Sequence, residues 1–184
     1  MNRAIFLDRD GVVNFDVRYA HEPEKIKLKP FFAEGLQALH KAGFLAVVVT
    51  NQGGVALGMY EAEAVHACHN KLQELLMPFG KKIDGFYFCP HHTKVHQDCS
   101  CRKPKPGMFF RAARDLDIDV SRSYMVGDRI SDLEAGRNAG CIQGFLVDSF
   151  YYASHEPKAL AAGFATAGNV MDVVEKILDM EKVN

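Results

Sequence analysis

Short apolar runs alternate with segments of helical period along most of this chain, and that alternation limits the fold more than any other feature. Ala4–Leu7 is an apolar run that reads as a strand. Pro30 then precedes Phe31, Phe32, Leu36 and Leu39, which recur at helical spacing, and Gly43 sits where a helix would stop. Phe44–Val49 is continuous and valine-rich, as expected of a strand buried on both faces. Glu61 to about Pro78 carries Val65, Cys68, Leu72 and Leu75 on one stripe, a second helix. Gly85–Cys89, Tyr124–Val126 and Gln143–Val147 read as further strands. Between and after them, Met108–Asp117, Ser131–Ala139 (ended by Gly140) and Val170 to about Met180 read as helices, the last with Asn169 as N-cap.

Strands that alternate with helices imply βαβ units and a parallel sheet covered on both faces. The expected fold is α/β: a three-layer, Rossmann-like, doubly wound sheet. A chain of 184 residues suits one domain spanning 1–184, large enough to bury a core without staples. The net charge of −1 gives no basic field for nucleic acid or a membrane surface. No stretch approaches the ~20 apolar residues of a membrane span. The N-terminal MNRAIFLDRDG lacks the apolar core of a signal peptide, so the chain reads as cytoplasmic.

Sites in such sheets lie beyond the carboxyl ends of the strands. Asp8-Arg9-Asp10-Gly11 follows the first strand, and Gly127-Asp128-Arg129-Ile130-Ser131-Asp132 follows the fourth. An isolated D-x-D is more often a plain turn. Two acidic strand tips in one parallel sheet can meet, and converging carboxylates repel unless a cation lies among them. Mg²⁺, which prefers hard oxygen ligands, fits that position. Thr50-Asn51-Gln52-Gly53-Gly54 follows the second strand and offers a hydroxyl and exposed N–H groups to phosphate oxygens. The basic tract Arg102-Lys103-Pro104-Lys105 supplies a lysine for a phosphoryl group, with Lys103 and Lys105 equally eligible on position alone.

Five cysteines and no export signal argue against a disulfide framework. Three of them fall in Cys89-Pro90-His91-His92…His96…Cys99-Ser100-Cys101. Thiolates with an imidazole suit tetrahedral Zn²⁺, and a site with four protein ligands is structural. The fourth ligand is His91, His92 or His96. This zinc loop, 89–101, ends directly at Arg102-Lys103, so the metal would fix the lysine that the chemistry needs.

Taken in order, these four segments resemble the motifs of the haloacid dehalogenase-like superfamily, from Ile5 to Asp132. Val12 departs from the threonine that most of its phosphatases carry. The resemblance implies a phosphatase with Asp8 as nucleophile and Asp10 as general acid/base. Thr50 and Lys103 would stabilise the phosphoryl group. Asp8, the backbone carbonyl of Asp10, and Asp128 would hold Mg²⁺, with Asp132 as a supporting acid. The combination C-P-H-H…C-x-C-R-K-P with D-R-D-G-V and T-N-Q-x-G is similar to the D-glycero-D-manno-heptose 1,7-bisphosphate 7-phosphatase family, which serves ADP-heptose synthesis for lipopolysaccharide core or S-layer precursors. That resemblance implies Lys103 over Lys105 and Cys89, His91, Cys99 and Cys101 as the zinc ligands. It places Asp16, Arg18, Tyr19 and Arg102 at the substrate. Asn51, Gln52, Gly53 and Arg129 join them there as cradle and cation. The short insert Asn14–Lys29 stands where a cap domain would be, so no large cap is expected.

The expected partner is a small phosphorylated sugar, with no nucleic acid or membrane, bound by a monomer. A histidinol-phosphate phosphatase would share every catalytic residue. A non-catalytic zinc-bearing interaction module would have no use for Asp8, Asp10, Lys103 and Asp128 together. A nucleic-acid end-processing phosphatase would need a basic, aromatic-laced stripe.

Overall fold

The computed structural model describes residues 1–96 and 98–183. Six strands form one parallel sheet: β1 (Arg3–Leu7), β2 (Phe44–Asn51), β3 (Gly85–Cys89), β4 (Tyr124–Gly127), β5 (Gln143–Val147) and β6 (Ala165–Ala167). Their spatial order is β3-β2-β1-β4-β5-β6. The helices are α1 (Phe32–Lys41), α2 (Ala62–Leu76), α3 (Gly107–Leu116), α4 (Ile130–Ala139), α5 (Tyr152–Ala161) and α6 (Val170–Val183).

The period of two along each strand sorts the side chains into two layers. Ile5 and Leu7 of β1 and Val48 of β2 pack with Phe32, Leu36 and Leu39 of α1, Leu72 of α2 and Val173, Val174 and Ile177 of α6. Ala4 and Phe6 of β1, with Val47 and Val49 of β2, pack on the opposite face against Met108, Phe109 and Ala112 of α3 and Ala135 of α4. A smaller cluster of Leu133, Leu146, Ala159 and Phe164 seats α5. The sheet is therefore covered on both faces, as the unbroken apolar strands require.

The helix ends follow the signals in the sequence. Gly140, at φ +99°, takes the left-handed conformation that closes α4. The Asn169 side chain accepts from the Asp172 backbone N–H at 3.1 Å, the cap expected at the start of α6. α2 is shorter than expected: it gives way at Met77–Phe79 to a 3₁₀ turn, because Pro78 cannot continue the ladder. Leu76 rather than Leu75 joins Val65, Cys68 and Leu72 as a fully buried member of the stripe.

Two elements go beyond the five-strand expectation. α5 carries Pro157 in its interior, and Ala159 is its one fully buried residue. β6 is only Ala-Thr-Ala. Neither has an apolar period to detect; both exist because β5 still has an open edge and an apolar face to cover.

Strand order reverses between β1 and β4, which are direct neighbours in the sheet. The chain leaves these two carboxyl ends in opposite directions along the sheet and opens a crevice there. The segment between β1 and α1 holds a single 3₁₀ turn, Pro23–Lys25, and no cap domain.

Candidate active site

At the switch point Asp8 leaves β1, and its backbone N–H still donates to the Val126 carbonyl of β4 at 2.9 Å. One strand tip is thereby tied to the other. Gly11, at φ +89°, turns the chain away, and a Cβ there would lie 2.2 Å from Asp128 Oδ2. Gly127 is equally constrained, since a Cβ would lie 2.3 Å from that of Asp132. These two glycines allow the acids of both tips to approach one another. Asp8, Asp128 and Asp132, all buried, each place a carboxylate oxygen within 4.8 Å of the others.

Lys103 enters the cluster from the far loop. Its ammonium lies 2.8 Å from Asp8 Oδ1, 2.8 Å from Asp132 Oδ1 and 2.8 Å from the Val49 carbonyl. Burial opposes its charge, but the two carboxylates outweigh that and raise its pKa, so it stays an ammonium. Lys105 is exposed. Of the two lysines that position left equal, Lys103 is the one beside the acids.

Asn51 clamps the lysine's backbone: its Oδ1 accepts from Lys103 N–H at 3.0 Å, and its Nδ2 donates to the Lys103 carbonyl at 3.2 Å. Asp132 also accepts from the Arg129 N–H through Oδ2, at 3.0 Å, at the start of α4.

Asp128 is different. Neither of its buried oxygens has a hydrogen-bond partner among the described residues, and the Arg129 Nε, at 3.8 Å, is too far to donate. Burial, then Asp8 and Asp132, push its pKa up to about 8. Burial likewise raises Asp8 to about 6, against the pull of Lys103. A buried carboxylate with both oxygens unmet fits a hard cation held with Asp8.

Asp10 faces the crevice beside Asp8 and is held by Arg9, Asn14 and Gln52. Thr50 is buried, its hydroxyl accepting from Gln52 Nε2 at 2.9 Å. The crevice, about 430 Å³, is lined by every residue expected at the substrate: Asp16, Arg18, Tyr19, Asn51, Gln52, Gly53, Arg102 and Arg129. The side chains of Asn51 and Gln52 are already engaged within the protein, and Gly53 offers only backbone. Arg129 stacks over Tyr151 at 4.0 Å and reaches Asp16 Oδ2 at 3.4 Å. Tyr60, His92 and Tyr151 also line the crevice. Sequence reading did not expect Tyr60 or Tyr151 here, because no strand tip or motif carries them, and His92 it weighed only as a zinc ligand.

The thiols of Cys89, Cys99 and Cys101 converge with His91 Nδ1. Cys89–Cys99 is 3.8 Å, Cys101–Cys99 3.9 Å, Cys89–His91 3.6 Å and His91–Cys101 3.3 Å. A tetrahedral site with metal–sulfur bonds of about 2.3 Å has sulfur–sulfur edges of about 3.8 Å. Cys89–Cys101, at 2.9 Å, is tighter than that edge. All five cysteines are free of disulfides. His96 packs its ring against His91 and is outside the four-atom cluster, as is His92. Gln97, within the expected loop 89–101, lies outside the described residues. The loop feeds directly into the site: Arg102 N–H donates to Cys99 Sγ at 3.3 Å, and Arg102 Nη1 to the His91 carbonyl at 2.9 Å.

The curated relatives of this chain are named as phosphatases. A HAD-hydrolase-like family model matches residues 100–175. A D-glycero-beta-D-manno-heptose-1,7-bisphosphate 7-phosphatase of Pasteurella multocida is 43% identical over 76% of this chain and 78% of its own. One from Vibrio cholerae is 36% identical over 97% of this chain and 98% of its own. The crystal structure of a D,D-heptose 1,7-bisphosphate phosphatase from B. bronchiseptica, complexed with magnesium and phosphate, is 33% identical. It superposes with a TM-score of 0.83 over 97% of this chain and 99% of that one. With its strand-tip acids, its buried lysine and this degree of likeness over nearly its whole length, the chain belongs to the D-glycero-D-manno-heptose 1,7-bisphosphate 7-phosphatase family of HAD-like phosphoric monoester hydrolases.

Proposed function

We propose that this chain, acting as a single cytoplasmic domain, hydrolyses the 7-phosphate of D-glycero-D-manno-heptose 1,7-bisphosphate through an aspartyl-phosphate on Asp8, in the synthesis of ADP-heptose precursors. The observation that carries this reading is Asp8 itself. It is a buried strand-tip carboxylate held at 2.8 Å by a buried ammonium, beside a second carboxylate with no hydrogen-bond partner among the described residues.

An Asp8 oxygen attacks phosphorus, and the bond from phosphorus to the sugar oxygen breaks. Asp10 gives that departing oxygen its proton. Water then attacks the phosphorus of the acyl phosphate. Asp10 takes the water's proton, the bond to Asp8 breaks, and phosphate leaves. Lys103 balances charge on the transferring group from within the protein, where its field is little screened. The Thr50 hydroxyl and the Gly53 backbone face the phosphoryl oxygens. Asp8, the Asp10 carbonyl and Asp128 would hold Mg²⁺, which lessens the repulsion between an anionic nucleophile and an anionic ester. Arg18, Arg102 and Arg129 give the crevice the positive rim that a doubly phosphorylated sugar requires, with Asp16 and Tyr19 to meet hydroxyls.

Cys89, His91, Cys99 and Cys101 would hold a structural Zn²⁺. Its part is mechanical: it fixes a polar loop whose next two residues are Arg102 and Lys103.

Three outcomes follow. Phosphate release should be much faster with the heptose bisphosphate than with histidinol phosphate, and Asp8→Asn should lower it by at least ~10³-fold while leaving the fold intact. Equal rates on the two substrates would refute the substrate assignment, and retained turnover in Asp8→Asn the covalent route.

The second outcome concerns pH and metal. Without a cation the native state keeps protons on Asp8 and Asp128, raised to about 6 and about 8, that the unfolded chain has lost above about pH 4. Stability of the magnesium-free protein should therefore fall as pH rises from about 4 to about 8. Saturating Mg²⁺ should restore it, most strongly at the upper end. A melting temperature indifferent to Mg²⁺ at pH 8 would remove the metal assignment.

The third concerns zinc. Native protein should contain about one zinc per chain, and Cys99→Ala should lose both the metal and melting temperature. Zinc-free protein of undiminished stability would contradict it.

A further inference from the structure

Arg9 is the largest fully buried side chain among the described residues. Burying a guanidinium is costly unless its donors are used. Here Nε and Nη2 are used, while Nη1 is buried without a hydrogen-bond partner among the described residues. Arg9 Nε lies 3.2 Å from both oxygens of Asp10, and Nη2 lies 2.9 Å from Asp10 Oδ2 and 3.0 Å from the Ala20 carbonyl. Two further donors complete the grip. Asn14 Nδ2 is 2.9 Å from Asp10 Oδ1, and Gln52 Nε2 is 3.0 Å from Asp10 Oδ2.

Gln52 is itself oriented. The Tyr60 hydroxyl donates to its Oε1 at 3.0 Å, which turns the amide NH₂ toward Asp10 and Thr50. Tyr60 reaches this place because residue 54 is glycine; a Cβ there would lie 2.3 Å from the tyrosine ring. Every one of these contacts to Asp10 is a donor, and none is an acceptor.

We propose that Arg9, assisted by Asn14 and Gln52, is a positioning residue that aligns the Asp10 carboxylate as the proton acceptor for hydrolysis of the phosphorylated enzyme. This rests on the assignment of Asp8 as nucleophile and Asp10 as acid/base. In that second half-reaction water's oxygen bonds to phosphorus, its proton passes to Asp10, and the phosphorus–Asp8 bond breaks. An array of donors keeps the carboxylate ionised and fixed in place, the state and position from which it takes water's proton. In the first half-reaction Asp10 must give one, so a substrate whose leaving group departs without a proton bypasses that demand. Loss of the clamp then falls on the second half alone.

Stopped-flow kinetics with 4-nitrophenyl phosphate separates the halves. Arg9→Met and Asp10→Asn should each show a burst of nitrophenolate near one per enzyme, formed within a few-fold of the wild-type rate. A steady state slowed by about 10²-fold should follow. Arg9→Lys, which keeps the charge but not the planar fork, should fall between. If a folded Arg9→Met slows burst and steady state alike, or neither, its role is merely structural and the proposal falls. If Asp10→Asn turns over at the wild-type rate, the acid/base assignment falls and takes the proposal with it. A stall in Asp10→Asn without one in the Arg9 variants overturns the Arg9 role alone. Should the Arg9 variants not fold, Gln52→Met removes another donor to the same oxygen. It should reproduce the burst and stall at about 3–10-fold, and an unaltered time course would overturn the clamp.

Discussion

The ion pair between the Lys103 ammonium and the carboxylates of Asp8 and Asp132 is what the rest of the structure serves. Three buried acids within 4.8 Å of one another would not stay charged without it. The ammonium answers two of them, and the third, Asp128, has no hydrogen-bond partner for either oxygen among the described residues. An arrangement of this kind contributes little to stability, since desolvation consumes most of the attraction. Its value is electrostatic: the charges are already in place, and no water has to reorganise when phosphorus changes partners.

Four separate stretches of chain build that centre. β1 brings Asp8, β4 and the turn into α4 bring Asp128 and Asp132, β2 brings the Asn51 clamp, and the Cys/His loop brings Lys103. The lysine has no helix or strand of its own. It is fixed by two hydrogen bonds from Asn51 on one side and by the Cys99-anchored backbone of Arg102 on the other. A loop as polar as His91–Cys101 has no apolar face to bury, so a metal at its thiols is the natural means of giving it one shape. Architecture and chemistry meet at this loop.

The strands and the strand-tip acids were legible in the sequence, because burial on both faces writes itself as unbroken apolar runs and motifs sit where those runs end. Asp8, Asp10 and Asp128 stood out in that way, and Cys89, Cys99 and Cys101 by their clustering, which left the fourth ligand open among His91, His92 and His96 until the family resemblance singled out His91. Lys103 and Lys105 could not be separated by position alone; the family resemblance favoured Lys103, and in the structure it is the buried amine and Lys105 the exposed one. Arg9 carried no signal, since an arginine at a strand tip is ordinarily solvated. Its one non-local partner is the Ala20 carbonyl, 11 residues away, and Asp10, which it holds, is met by Asn14 and Gln52 from elsewhere in the chain. α5 and β6 were hidden for a different reason: an alanine-threonine-alanine edge and a proline-bearing helix have no period, and tertiary packing alone decides their structure.

The claim on which the account turns is that Asp8 bonds to phosphorus. Enzyme quenched during turnover and reduced with borohydride converts an acyl phosphate at an aspartate to homoserine, which peptide mass spectrometry locates. The account predicts homoserine at position 8 and nowhere else, appearing only when substrate is present. Reduction at another acid, or at none while the quenched enzyme is turning over, would contradict it.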